Sequence, residues 1–232
     1  MSKLVPLALV TASLSLFSIG ATAYEQGDWI IRAGAANVDP DASSDPIVIP
    51  TAPETVLPNG VDVEDDTQLG LTFSYMFRDT WSVEVLASTP FDHDIVLNDA
   101  PIKAGSTKHL PPTVTLNWYP RGGKEGWQPY IGAGINYTTF FDESVSGELE
   151  DALGAIVGLP GPLDADLDLE DSWGLALRAG VDIPFGERWS FNASMYYIDI
   201  DTRATIETDV ADVKFDVEID PYVWMLGVAY RF

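Results

Sequence analysis

The run Tyr222-Val-Trp-Met-Leu-Gly-Val-Ala-Tyr-Arg-Phe232 constrains the fold more than any other stretch of the chain. Counting back in twos from Phe232, one face carries Tyr230, Val228, Leu226, Trp224 and Tyr222; the other carries Arg231, Ala229, Gly227, Met225 and Val223. Successive side chains of a strand point to opposite sides, so this run predicts a strand with one large apolar face and one small or mixed face. Aromatics at both ends with aliphatics between suit a strand crossing lipid, where amphipathic rings sit at the two interfaces. A soluble sandwich would bury the same face as core, but soluble domains usually end in loose polar residues.

Seven further segments alternate in the same way: 27–38, 68–77, 81–88, 110–119, 128–141, 173–183 and 189–197. Trp29, Trp81, Trp118, Trp173, Trp189 and Trp224 all fall on the large apolar faces. The opposite faces hold mostly Gly, Ser, Thr and Asn, too small for a solvated outer surface, which disfavours a lipocalin-like soluble barrel. Of the 36 acidic residues, 29 lie in 39–66, 91–107, 142–171 and 199–220. Read as loops, these segments alternate with short turns carrying Arg78, Arg121, Lys124 and Arg188. The expected fold is all-β: an eight-stranded antiparallel transmembrane barrel with long external loops and short periplasmic turns.

The first 23 residues read as a cleaved secretory signal: Lys3, the apolar run 4–19, and Ala21-Thr22-Ala23 as a cleavage site. The remainder, 24–232, reads as one barrel domain. No later stretch approaches the length of a membrane helix, leaving a soluble chain or a closed barrel. With no cysteine, an exported chain must rely on burial and backbone pairing. A net charge of −24 argues against a nucleic-acid partner.

Several motifs resemble the OmpW/AlkL family of small outer-membrane proteins. They are Pro90-Phe91-Asp92-His93-Asp94-Ile95, Lys108-His109-Leu110-Pro111-Pro112-Thr113, and Pro129 to Tyr137 with its Pro-Tyr-x-Gly-x-Gly pattern. Trp173 to Asp182 and Gly227 to Phe232 complete the likeness. The resemblance implies a Gram-negative outer-membrane location and a narrow, largely hydrophobic lumen for small apolar molecules. The segments 39–66 and 142–171 match it poorly. Phe232, with Tyr230 in phase, resembles the terminal signal read by outer-membrane assembly machinery.

By parity, Arg32, Glu84, Arg178, Asp182 and Arg231 face the lumen. A barrel this small is filled by its side chains and buried charges need partners, so the expectation is an ion-pair network closing the periplasmic half. A gate or selectivity filter is the functional alternative. Met76, Leu86, Ile198, Ile200, Val223 and Met225 also face inward. Water-filled porins keep that face polar, so these residues, together with the resemblance, suggest a hydrophobic vestibule toward the outer end. Pro90, Pro111 and Pro112 lack ladder donors where two facing strands end, which, together with the resemblance, suggests a lateral opening in the wall near the outer leaflet; the alternative is that they merely end their strands and the loops cover the seam.

His93 and His109 are the two histidines. A lipid-modifying enzyme would need one of them beside a serine such as Ser88 or Ser106 and a carboxylate such as Asp92 or Asp94. Nothing in the spacing compels that, and a loop-anchoring hydrogen bond from His93 is the plainer reading. The acidic runs 62–66 and 164–171 lack a calcium-loop pattern and read as solvated surface, with cation bridging to anionic lipopolysaccharide as the alternative. The expected function is passive uptake of small apolar solutes by a non-enzymatic channel without cofactor or metal. Its partners would be outer-membrane lipid, lipopolysaccharide and the assembly machinery. The rivals are a non-conducting structural or adhesive barrel and a lipid-modifying enzyme.

Overall fold

A computed structural model describes residues 23–51, 53–100 and 102–232. The signal-sequence reading therefore lies outside the described residues, Ala23 apart. The chain runs through β1 (Trp29–Asp39), β2 (Ser43–Ser44), β3 (Ile47–Ile49), β4 (Thr55–Leu57), β5 (Val61–Val63), β6 (Asp66–Arg78) and β7 (Trp81–Ser88). Next come β8 (Phe91–Leu97), β9 (Lys103–Leu110), β10 (Thr113–Trp118) and β11 (Gln128–Val145). The chain ends with α1 (Gly147–Val157), β12 (Ala165–Leu169), β13 (Ser172–Pro184), β14 (Trp189–Ile198), β15 (Asp201–Thr208), β16 (Val213–Glu218) and β17 (Tyr222–Arg231).

The strands β1, β6, β7, β10, β11, β13, β14 and β17 pair in that order, all antiparallel, and β17 returns to β1. The ring of ladders is thus closed and no strand of the wall is left as a free edge, as lipid requires. No helix among the described residues is long and apolar enough to cross a membrane. The period-two alternation sorts the side chains as expected. Leu226 and Trp173 are 67% and 72% exposed on the outside, whereas Met225 and Ser172 point in and are buried. Tyr137 with Trp173 and Tyr197 with Tyr222 mark one interface; Trp29 with Tyr75 and Trp189 with Tyr230 mark the other. Phe232 donates its backbone N–H to the Trp29 carbonyl at 2.9 Å, joining the two ends of the barrel at this second, periplasmic rim.

The four acid-rich segments are not the loops expected of them. Segment 91–107 forms the hairpin β8–β9, which stands on the upper part of β11 through Leu110↔Thr139 and His109↔Phe140. β12, β15, β16 and β2 form a second, four-stranded sheet, and α1 lies against β9. The acids point outward while Ile95, Leu97, Leu153, Ile206, Phe215 and Val217 point inward into one large apolar core. The expected fourth strand also starts later. Leu110 belongs to β9 and β10 begins at Thr113, because Pro111 and Pro112 interrupt the ladder between them.

Candidate functional site: a charged plug beneath an apolar chamber

Halfway down the barrel the lumen is filled by four charged side chains of balanced sign. The Arg32 guanidinium donates from Nη2 to Asp182 Oδ2 at 2.6 Å and from Nε to Asp182 Oδ1 at 3.1 Å. Its Nη1 donates to Glu84 Oε2 and to Ser74 Oγ, both at 2.8 Å. Arg178 Nη1 pairs with the other oxygen of Glu84. A guanidinium fork against planar carboxylates gives directional, charge-assisted bonds, the form in which buried charge is tolerable.

A ring of tyrosines supplies further partners to these groups, though the Arg178 Nε, buried beside them, has none. Tyr24 donates to Asp182 Oδ2 at 2.8 Å and Tyr196 to Glu84 Oε1 at 2.9 Å. Tyr119 and Tyr130 accept from Arg32 and Arg178 at 3.1 and 2.9 Å. Arg178 also lies over the faces of Tyr130 and Tyr196, 4.5 and 4.7 Å from their centroids. Tyr130 fits this position because its ring lies against Gly180, where any Cβ would come within 2.5 Å of it. Below the network Tyr24, Ile30, Met76, Tyr119, Tyr130 and Ala229 form a compact floor.

Two expectations shift here. Arg231 faces inward by parity but sits at the periplasmic rim, 3.4 Å from Asp28 and bonded to the carbonyls of Ala23 and Glu187. It pairs with Ile30, two residues below Arg32, too far along the wall to join the network. Met76 likewise belongs to the periplasmic floor, not to an outer vestibule. Leu86, Ile198, Ile200 and Val223 do join the large outer core, while Met225 is buried between the two clusters' levels and belongs to neither.

Above the plug and beyond the outer aromatic ring, the external strands enclose an apolar chamber with a free volume of about 70 Å³. Ile47 and Ile49 of β3, Ile95 and Leu97 of β8, Leu149 and Leu153 of α1, and Ile206, Phe215 and Val217 of the β15–β16 hairpin contribute to its wall. α1 can hold its two leucines there because Ser146 caps it, its Oγ accepting from Leu149 N–H at 3.1 Å. At the base, His93 and His109 stack with centroids 4.8 Å apart and planes 7° from parallel. Burial in this apolar wall holds the His93 imidazole below its ordinary pKa and that of His109 down to about 3, so both are neutral at neutral pH.

Directly below the histidines the wall is locally unpaired. The β7–β10 ladder stops at Leu86↔Thr113 and the β8–β9 ladder starts at Phe91↔His109. Residues 87–90 therefore face 110–112 without ladder pairing, and Pro111 and Pro112 have no N–H to offer. Pro111 is buried; Pro112 and Pro90 face outward.

The sequence model of the OmpW family matches residues 25–232. The chain belongs to that family. Outer membrane protein W of Vibrio cholerae is 43% identical over 227 residues, covering 96% of each chain. The Escherichia coli K12 protein of the same name is 40% identical over 232 residues, covering 100% of both. The crystal structure of the outer membrane protein OprG from Pseudomonas aeruginosa superposes with a TM-score of 0.79 at 42% identity, covering 90% of this chain and 98% of that one. This family membership places the protein in the Gram-negative outer membrane.

The remaining candidates fare differently. Among the described residues neither Ser88 nor Ser106 hydrogen-bonds to an imidazole: Ser106 pairs with Ser144 at 3.0 Å, and Ser88 Oγ is buried without a partner. Asp94 is bound to Lys103, and Asp92 lies on the opposite face from His93. His93 Nδ1 donates to the Glu64 carbonyl at 2.6 Å, fastening β8 to the chain that leads into β6. The carboxylates of Asp199, Asp201 and Asp220 converge to within 4.8 Å, a grouping the sequence reading missed. Partial burial, reinforced by its acidic neighbours, raises the Asp201 carboxyl above its usual range, whereas Asp220 is already engaged by Tyr197 and the Ile200 N–H. The plug tyrosines were also missed. Each of Tyr119, Tyr130 and Tyr196 is inward by parity, and that shared parity with the charged residues was the available signal.

Proposed function

We propose that this outer-membrane barrel is a passive channel for small apolar solutes, which enter the external chamber and leave sideways into the outer leaflet through the unpaired wall at 87–90 and 110–112. The observation that carries this reading is the vertical order of the three features. An apolar chamber lies on top, a ladder break lies at its base, and beneath both sit Arg32, Glu84 and Asp182, each with a side chain 0% exposed. A solute continuing straight down would have to break paired, desolvated charges, at a cost of several kcal/mol. A solute moving sideways meets a seam across which no ladder pairing joins the two strands.

The test is uptake by vesicles whose outer leaflet is lipopolysaccharide. Pro111→Val with Pro112→Thr restores ladder donors and should slow entry of an alkane while the barrel stays folded. Unchanged uptake in that variant, together with loss of uptake when Arg178 and Glu84 are replaced, would mean that solute runs straight through.

A further inference from the structure

We infer that His93 and His109 form a polar anchor in the chamber wall that selects apolar molecules bearing a single hydroxyl group. The inference rests on the channel reading above and names the class of solute the chamber prefers.

The chamber wall is almost wholly aliphatic and aromatic, and its few polar side chains are not equivalent. Thr202 spends its hydroxyl on the Glu170 carbonyl at 2.6 Å, and Thr107 makes a long contact of 3.4 Å to the Lys108 carbonyl. The Nε2 atoms of His93 and His109 are buried without a hydrogen-bond partner. Among the described residues these are the only such side-chain atoms on the chamber's lining residues. Native structures pair nearly all buried polar atoms, so two unpaired ones on adjacent stacked rings mark a place where something polar docks.

The geometry also says what kind of group it is. His93 Nδ1 faces the Glu64 carbonyl, which can only accept, so Nδ1 carries the ring proton. The Nε2 of the neutral ring is then a lone-pair acceptor and fits a donor such as an alcohol or phenol O–H. A carboxylate brings no proton, and its charge would enter beside Asp65, Asp66 and Asp92, all close enough to act on His93. An alkane leaves the lone pair desolvated. Phe91 packs against His109 at 5.5 Å and Phe140 meets the same ring edge-on at 5.9 Å. Phe140, itself in the chamber wall, offers flat apolar surface to the skeleton that carries the hydroxyl, while Phe91 backs the His109 ring. The resulting order of preference is alcohol over alkane over carboxylate for one carbon skeleton.

Octane, octanol and octanoate supply that series. In lipopolysaccharide-faced vesicles, the ratio of octanol to octane flux should fall roughly fivefold to tenfold in His93→Phe, the size of one neutral hydrogen bond. A ratio equal to wild type would overturn the anchor even if both fluxes stayed high. Fluxes no greater than in protein-free vesicles would count against the channel reading instead. Nitrogen-15 spectra of the wild-type protein in lipid nanodiscs then decide the anchor independently of flux or of any variant's folding. Octanol should shift the His93 Nε2 resonance and octane should not; a resonance indifferent to octanol would mean that the wall is served by water alone, and the anchor would be wrong.

Discussion

Arg32 and Asp182 meet inside the barrel in a two-point contact, Nη2 to Oδ2 at 2.6 Å and Nε to Oδ1 at 3.1 Å, from strands 150 residues apart in the chain. Neither side chain reaches solvent. Such a pair stabilises little relative to an apolar filling, but losing one member strands the other charge. Arg32→Met is therefore expected to destabilise the barrel by about 3–5 kcal/mol. The double variant Arg32→Met/Asp182→Asn should be less destabilised than the single one. Urea unfolding followed by heat-modifiable gel mobility measures both, and a double variant worse than the single would contradict this account.

Gly180 provides the space for Tyr130, and thereby for the Arg178 bond to its hydroxyl. Gly180→Ala should cost about 1–3 kcal/mol through overpacking, and it should loosen Arg178 as well. A chemical-shift change of the Arg178 guanidinium accompanying the stability loss is the expected signature. Stability equal to wild type would show that the ring can move aside freely.

The stacked histidines set an acid limit on the external hairpin. His109 titrates near 3 in the folded protein because burial disfavours its charged form, with neutral His93 stacked on it. The unfolded group titrates near 6.5, so between those values the unfolded state binds more protons and stability rises with pH. The contribution is intact above about pH 6.5 and is lost progressively as pH falls toward 3, by a few kcal/mol in all. The charges of Asp66, Asp92 and Asp65 lie close enough to soften the effect at His93. Amide exchange across 91–110 should quicken in that window, and His109→Phe should flatten the dependence. An equally steep response in His109→Phe would assign it to the carboxylates.

Ser146 ties α1 to the rest of the external structure by capping its first turn and donating to the Lys103 carbonyl. Ser146→Ala should remove about 1 kcal/mol and raise amide exchange in 147–157. Alkane uptake should quicken in the same variant if α1 limits loading.

Phe232 donates its N–H to Trp29 and packs its ring edge-on against Tyr230 at 4.8 Å. We propose that this exposed terminal ring is also what the assembly machinery reads. Removing Phe232 should sharply lower the heat-modifiable fraction in the outer membrane, while Phe232→Tyr should restore most of it. A full yield of folded barrel after the deletion would rule the role out.

What was legible in the sequence by itself follows from one local rule, that a strand turns successive side chains to opposite sides. Trp224 and Met225, or Leu177 and Arg178, are sorted to lipid and lumen by that rule whatever the strands pair with. The membrane barrel, its strand count and the inward charges were therefore readable from residue order. Parity does not give height along the wall, however. Arg231 and Met76 share the inward parity of Arg32, yet both lie in the periplasmic part of the lumen, because height depends on register between strands. The external half was hidden for a related reason. Its acids are solvated on one face, and the apolar residues between them gain burial only when distant segments meet. Leu149 of α1, Ile95 of β8 and Phe215 of β16 form one wall only after β9 pairs with the extension of β11 and β12 pairs with β15. Those pairings join residues tens of positions apart, and the burial that stabilises them exists only in the assembled structure.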